Sequence, residues 1–140
     1  MGTSPTQASS VSKVVIGKID GTRLKGYIFN FSPMRDSFRL FPEPNSAQDA
    51  GKDVQLREVK AIFFVRDFSG NRERNDSQQV GAGVHGRKLE VTFRDNEKIA
   101  GTTEAYNPQK VGFFIFPADS ESNNSRIFVV NAAVRQVKHL

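Results

Sequence analysis

The sequence contains no cysteine and no tryptophan, and it has only two histidines among its 140 residues. Without cysteine the chain has no disulfide, no thiol nucleophile and no thiolate ligand for a metal. The histidines, His85 and His139, lack a second histidine or a glutamate at the spacing that a zinc site needs. We therefore expect no metal site, and we expect both histidines to be exposed.

Long hydrophobic runs are also missing from the sequence. The longest, at residues 61–65 and 111–117, have the length of strands and fall far short of the ~20 residues that span a membrane. Residues 1–12 are rich in Ser, Thr and Gln, and they lack the basic start and apolar core of a signal peptide. We expect a cytoplasmic protein with a disordered tail at residues 1–12 and no membrane insertion.

The motifs of common active sites are absent as well. The chain has no G-x-S-x-G nucleophile motif, no G-x-x-x-x-G-K-[ST] phosphate loop and no G-x-G-x-x-G fingerprint. The glycines of residues 80–86 neither follow a strand nor begin a helix. The acidic residues 119–124 lack the glycine and the final glutamate of a calcium-binding loop. We predict that the protein is not an enzyme and holds no cofactor.

What the sequence does contain is a mild excess of positive charge and many phenylalanines. The formal net charge is +5, and basic and acidic residues are spread evenly along the chain. An even distribution is typical of a solvated surface rather than of a dedicated nucleic-acid patch. The twelve Phe residues favour strands and small β cores.

The chain also contains an internal repeat. At an offset of 75, residues 13–65 align with residues 88–140 without a gap, and nine positions are identical where chance gives about three. The matches fall on turn residues and apolar anchors, which favours an internal duplication over two hairpins that align by chance. The identical pairs are Lys13/Lys88, Asp20/Asp95, Gly26/Gly101, Pro33/Pro108, Phe38/Phe113, Phe41/Phe116, Pro42/Pro117, Val54/Val129 and Val59/Val134.

Each repeat is predicted to form five short antiparallel strands. Asp20-Gly21 and Asp95-Asn96 predict type I′ hairpin turns, because these residues tolerate positive φ. Gly26 and Gly101 lie within the second strands, where we expect the backbone to bend. The predicted strands are Lys13–Ile19, Arg23–Phe31, Phe38–Phe41, Val54–Leu56 and Val59–Arg66 in the first repeat, and Leu89–Phe93, Lys98–Tyr106, Phe113–Phe116, Ile127–Asn131 and Val134–Leu140 in the second.

The predicted organisation is all-β, with two tandem five-stranded small-barrel units. The first unit covers residues 13–66 and the second covers residues 88–140. Residues 67–87, which are rich in Gly, Asn, Gln and Ser, are predicted to form a linker or long loop. Residues 54–65, which span the last two predicted strands of the first unit, carry enough apolar residues to be buried on both faces.

Three resemblances accompany this interpretation. A strand, an Asp-Gly hairpin and a bent second strand with a glycine, as in residues 14–31, resemble SH3-like and Sm-like small barrels. Asn30 and Ser32 match part of the [DN]-x-S-x-x-G element of PilZ domains, which implies a cyclic dinucleotide, although Arg35 stands at the glycine position. Residues 31–33, 38–42 and 60–68 are similar to motifs of bacterial domains of unknown function.

One set of residues is a candidate ligand site. A cation beside an aromatic ring, present in both repeats, would hold a phosphate and stack a base. The alternative is that the rings pack in the core and the cations are solvated. The candidate residues are Arg23, Phe31 and Arg35 in the first repeat and Lys98, Tyr106 and Lys110 in the second.

The leading functional hypothesis is a non-enzymatic interaction or scaffolding module, which binds a protein partner or associates with itself through strand edges and loops. The alternative is a module that binds a nucleotide or nucleic acid, such as a cyclic dinucleotide or RNA, through the paired basic loops.

Overall fold

The computed structural model describes residues 11–45, 50–66, 86–118 and 122–140, and these residues form an all-β protein. Two 3-10 helices of three residues lie wholly within these described ranges, η1 (Leu56–Glu58) and η2 (Asn131–Ala133). The strands are β1 (Val11–Lys18), β2 (Arg23–Phe29), β3 (Ser37–Leu40), β4 (Lys52–Gln55), β5 (Val59–Val65), β6 (Arg87–Phe93), β7 (Lys98–Thr103), β8 (Gly112–Pro117), β9 (Asn124–Val130) and β10 (Val134–His139).

Eight of these strands form a single antiparallel sheet in the order β10-β6-β7-β8-β9-β5-β1-β2. The remaining pair, β3 and β4, is joined to β2 by an isolated bridge between Tyr27 and Phe41. The all-β prediction is therefore confirmed. Two separate five-stranded barrels are not seen in the described part of the chain, because β5 of the first half (residues 11–66) pairs with β9 of the second half (residues 86–140).

The two halves nevertheless repeat the same backbone hydrogen bonds at an offset of 75. The strand order is β5-β1-β2-β3-β4 in the first half, where β3 follows β2 through the bridge, and β10-β6-β7-β8-β9 in the second. The matched bonds include Lys18 N–H to Thr22 O and Phe93 N–H to Glu97 O, Ile19 N–H to Glu58 O and Arg94 N–H to Ala133 O, and Leu56 N–H to Asp36 O and Asn131 N–H to Val111 O.

Both predicted hairpins are present, but their turns are not of type I′. Each has a three-residue loop in which a single residue has positive φ, Gly21 at 92° and Asn96 at 75°. This geometry is a type I turn followed by one left-handed residue. The Asp20 carboxylate accepts the Thr22 N–H at 2.9 Å, and this backbone hydrogen bond is the main cause of the lowered pKa of Asp20.

The matched glycines Gly26 and Gly101 lie where the next strand passes very close to their own. A Cβ atom at Gly26 would lie 2.6 Å from the carbonyl oxygen of Phe41, and one at Gly101 would overlap the carbonyl oxygen of Phe116. Because glycine has no side chain, the backbones of the second and third strands of each half can approach closely at these positions.

The side chains of β5 alternate between two hydrophobic clusters on opposite faces of the sheet. Ile62 and Phe64 belong to a first-half cluster that also takes Phe128 of β9. Ala61 and Phe63 belong to a second-half cluster with Leu89. Of the segment predicted to be buried on both faces, β5 is so buried, because the second half packs against the face that a single barrel would leave exposed. β4 is not, because Lys52 and Asp53 are exposed.

Several predicted boundaries shift or lie outside the described residues. Strand β1 begins at Val11, inside the predicted tail, and β6 begins at Arg87, inside the predicted linker. Residues 1–10, most of the linker, His85 and residues 119–121 of the acidic loop lie outside the description. Within the described ranges, no helix is long and apolar enough to cross a membrane.

Candidate binding site

The two predicted aromatic residues lie in aromatic clusters. Phe31, which is half-buried, makes edge contacts with four phenylalanine rings at centroid distances of 5.2 to 6.2 Å. Tyr106 contacts Phe113 at 4.8 Å and His139 at 5.9 Å. Both rings thus pack against other rings, and a role in stacking a ligand stays a prediction. The four rings around Phe31 are those of Phe38, Phe64, Phe114 and Phe128.

The four predicted cations are exposed and do not converge on one cleft. Arg23 begins β2, with its guanidinium 5.9 Å from the centre of the Phe63 ring, and Lys98 begins β7. Arg35 and Lys110 occupy equivalent turns, closed by N–H bonds to the carbonyls of Ser32 and Asn107 at 3.3 and 3.1 Å. These two cations nevertheless line different pockets.

Arg35 lines a pocket of about 670 Å³ in the first half, which we call the hairpin pocket. The pocket combines aromatic rings, two arginines and small polar side chains. Arg39 is paired with Asp53 at 3.3 Å, and both are well exposed, so the pair adds little stability. The lining residues are Phe29, Asn30, Ser32, Arg35, Ser37, Phe38, Arg39, Phe41, Pro44, Asn45 and Asp53.

Lys110 lines a second pocket of about 690 Å³, which we call the junction pocket because both halves contribute its walls. Four pairs of its residues are related by the offset of 75. These pairs are Asp36/Val111, Gln55/Val130, Leu56/Asn131 and Arg57/Ala132. Pro108 and Lys110 complete the lining. The pocket exists because the pairing of β5 with β9 brings η1 next to the turn at residues 107–111.

Hydrogen bonds fix the walls of the junction pocket. The Asn131 side-chain amide donates to the carbonyls of Asn107 at 3.1 Å and Lys110 at 2.8 Å. Its backbone N–H donates to the carbonyl of Val111 at 2.9 Å. Since one residue holds both ends of the turn, the pocket is largely preformed, as binding sites usually are.

The pocket has an apolar floor and a charged rim. Leu56 and Val130 are buried, whereas the side chain of Val111 is 51% exposed at the edge. Arg57 and Lys110 supply two positive charges, and Asp36 supplies one negative charge. Among the described residues neither cation forms an ion pair. The site therefore suits an apolar group that carries a negative charge beside it.

Lys60 is a buried cation whose role sequence reasoning missed. It lies in β5, yet its Nζ is 2.7 Å from Asp95 and also bonds Glu97 in the hairpin of the second half. Burial alone lowers the pKa of Lys60, but these hydrogen bonds outweigh it and raise the pKa. The hydrogen bond from Lys60 is the main cause of the lowered pKa of Asp95. Both groups stay charged at neutral pH, so the link between the halves persists.

Arg126 is a second cation that sequence reasoning did not single out. Its guanidinium lies 4.4 Å from the ring centre of Phe64 and 4.5 Å from that of Phe114. Burial lowers the pKa of Arg126, but a guanidinium remains charged at neutral pH. Arg126 therefore covers the aromatic cluster at the boundary of the halves through cation–π contacts.

Comparison with known protein families places the chain in one of them. The sequence profile of a family of unknown function matches residues 10–140. The chain belongs to the DUF6982 family. The DUF6982 profile spans both halves and the segment between them, so the domain that defines the family contains both halves. No curated protein and no solved structure matches the chain, so the SH3-like, Sm-like and PilZ resemblances stay predictions.

The expectation of a domain of unknown function is thus confirmed, and the match brings no activity with it. Within the described parts of the DUF6982 chain, no group of three or more His, Asp or Glu side chains is placed to hold a metal ion. The junction pocket is lined by residues of both halves of this DUF6982 chain, and it is the strongest candidate for a functional site.

Proposed function

We propose that the protein is a non-enzymatic interaction module that binds a segment of a protein partner in the junction pocket. The observation that carries the proposal is the pocket itself, since it joins an apolar floor, an exposed Val111 and two cations without ion-pair partners in the described residues. Exposed apolar surface beside polar groups is typical of sites for protein partners.

The chemistry of the pocket selects the kind of segment. An apolar side chain of the partner would fill the space above Leu56 and Val130. An adjacent carboxylate, from Asp, Glu or a chain terminus, would pair with Arg57 and Lys110. The single carboxylate of Asp36 leaves the rim with a net positive charge, which favours an acidic partner over a basic one.

We also propose that the two halves arose by duplication of one small unit of the SH3-like or Sm-like kind. The support is the repeated strand order and the hydrogen bonds that recur at an offset of 75, including those of the 3-10 helices. On this view the junction pocket is a product of the duplication, because its walls are equivalent segments brought face to face.

A second candidate function is the binding of a phosphate-bearing ligand, such as a cyclic dinucleotide or single-stranded RNA, in the hairpin pocket. It is favoured by Arg35 and Arg39 beside the rings of Phe29 and Phe38. A cation near an aromatic ring suits a phosphate next to a base. This candidate places the ligand on one half alone, and Lys110 takes no part in it.

Two charge reversals at equivalent positions separate the candidates. For Lys110→Glu we expect at least a tenfold loss of the proteins captured by quantitative cross-linking in cells. For Arg35→Glu, the matched control in the other half, we expect capture to be unchanged. Both side chains are exposed, so neither variant should lose its fold, which circular dichroism would check.

The opposite pattern supports the second candidate. In titrations, a cyclic dinucleotide or a short single-stranded RNA should then bind the native chain, and its affinity should fall steeply as salt is added. If only Arg35→Glu abolishes this binding, the hairpin pocket is the site. If both variants capture the same proteins as the native chain, the junction pocket is not the binding site.

A further inference from the structure

The last strand, β10, has one edge without a strand partner in the described part of the chain. It pairs with β6 on one side and ends the order of the eight-stranded sheet. The Leu140 N–H donates to the Lys88 carbonyl at 2.9 Å. Because bonding directions alternate along an antiparallel strand, the N–H groups of Val137 and His139 point away from β6. No strand of the described residues bonds these groups, so they can receive another strand.

The first half shows how the equivalent edge is used. β5 occupies the position of β10 at the offset of 75, and its outer edge pairs with β9. The register places Ala61 opposite Val129 and Phe63 opposite Ile127. The fifth strand of this unit is therefore built to accept an antiparallel strand, and within the described ranges the second half leaves that edge open.

The side chains on the two edges differ in chemistry. Ala61 and Phe63 of β5 correspond to Gln136 and Lys138 of β10. With Arg135 and His139, the open edge is polar and basic, and these four side chains are exposed. An apolar strand such as β9 does not suit this edge, whereas a strand with acidic side chains does.

A second copy of the chain is a poor occupant of the edge. Two β10 strands would bring their cations together. β4 of another copy, placed as β9 is on β5, would set Lys52 opposite Lys138. Like charges directly opposite each other destabilise a strand pair, and charged edges are a common protection against self-association.

We propose that β10 is a docking edge for an extended acidic segment of another protein, which adds to the sheet as an antiparallel strand. Backbone bonds to Val137 and His139 supply the pairing, and Lys138 selects for carboxylates. Arg135, whose guanidinium also donates to the Asn96 side-chain oxygen, adds positive charge nearby. This surface is separate from the junction pocket and does not depend on the function proposed for it.

Defined peptides test the edge without knowledge of the natural partner. The probes are a nine-residue peptide of alternating Glu and Val and the same peptide with Lys in place of Glu. We expect the Glu peptide to bind the full chain at least tenfold more tightly by calorimetry, and less tightly as salt is added. In hydrogen exchange measured by NMR, it should slow the amides of Val137 and His139.

Two charge reversals complete the test. For Lys138→Glu we expect at least a fivefold loss of affinity for the Glu peptide. Lys25→Glu, on β2 at the opposite end of the sheet order, should bind it as the native chain does. Equal binding of the Glu and Lys peptides, no binding of either, or unchanged exchange at Val137 and His139 with the Glu peptide bound would overturn the proposal. A loss of cellular capture in Lys110→Glu would bear only on the junction pocket.

Discussion

Replacement of Gly101 by alanine is expected to lower the free energy of unfolding by about 3 kcal/mol or more. The new Cβ would overlap the carbonyl oxygen of Phe116, and that oxygen belongs to the backbone of β8. Backbone cannot move aside as a flexible side chain can, so β7 and β8 would have to separate. Since these strands cover the second-half cluster, the loss of stability spreads beyond the contact itself.

Urea denaturation of three alanine variants checks this result. In Gly26→Ala the new Cβ would lie 2.6 Å from the Phe41 carbonyl oxygen, so this variant should also be strongly destabilised. Gly21→Ala, where φ is 92° and nothing lies within 4 Å, should cost only about 1 kcal/mol from backbone strain. If Gly101→Ala costs no more than Gly21→Ala, the close approach of the strands is not the reason for the glycine.

Replacement of Phe31 by alanine is expected to lower the free energy of unfolding by about 3 kcal/mol. The ring of Phe31 contacts rings from both halves, including Phe64 at 5.9 Å and Phe128 at 5.2 Å. Its removal leaves a cavity at the boundary of the halves. The half-buried position places the cost at the lower end of the range for phenylalanine in a core.

The same variant separates packing from ligand binding. Phe116, whose side chain is 46% exposed, provides the control, and Phe116→Ala should cost less than about 1 kcal/mol. Thermal and urea denaturation report both values. A Phe31→Ala variant with native stability would show that the ring is not needed for packing, which would favour the stacking role predicted from the sequence.

Local features of the fold were predictable because their causes are local. Asp20-Gly21 and Asp95-Asn96 marked both hairpins, since few residue pairs suit a reversal that includes a left-handed residue. The predicted turn type, type I′, was wrong. A type I′ turn and a type I turn followed by a left-handed residue favour the same residue types, so the sequence does not distinguish them. Gly26 and Gly101 were visible as anomalies within strands, although their reason required the position of the next strand.

The shared sheet was not predictable in the same way. Pairing of β5 with β9 joins residues 59 to 68 positions apart, and no local pattern specifies which strand edge pairs with which. The apolar run of β5 was the one indication of the shared sheet, because it has more apolar positions than the core of a single half would bury. Lys60, inside that run, contacts Asp95 in the other half, and the sequence spacing between them carried no signal.

The candidate site shows the same limit. Arg35 and Lys110 are equivalent in the repeat, and we expected them to act alike. The halves meet through unlike strands, the fifth of one and the fourth of the other, so equivalent residues face different surroundings. Lys110 therefore lies at the boundary beside Arg57, whereas Arg35 lies in a pocket of the first half.

The alternation of β5 between two clusters makes the halves interdependent. The first cluster takes Phe128 and Val130 from the second half, and the second takes Ala61 and Phe63 from the first. A fragment that ended near residue 66 would expose an apolar strand on one side and lack part of its own interior on the other. We therefore expect neither half to melt independently, and heat should disrupt both in a single cooperative transition.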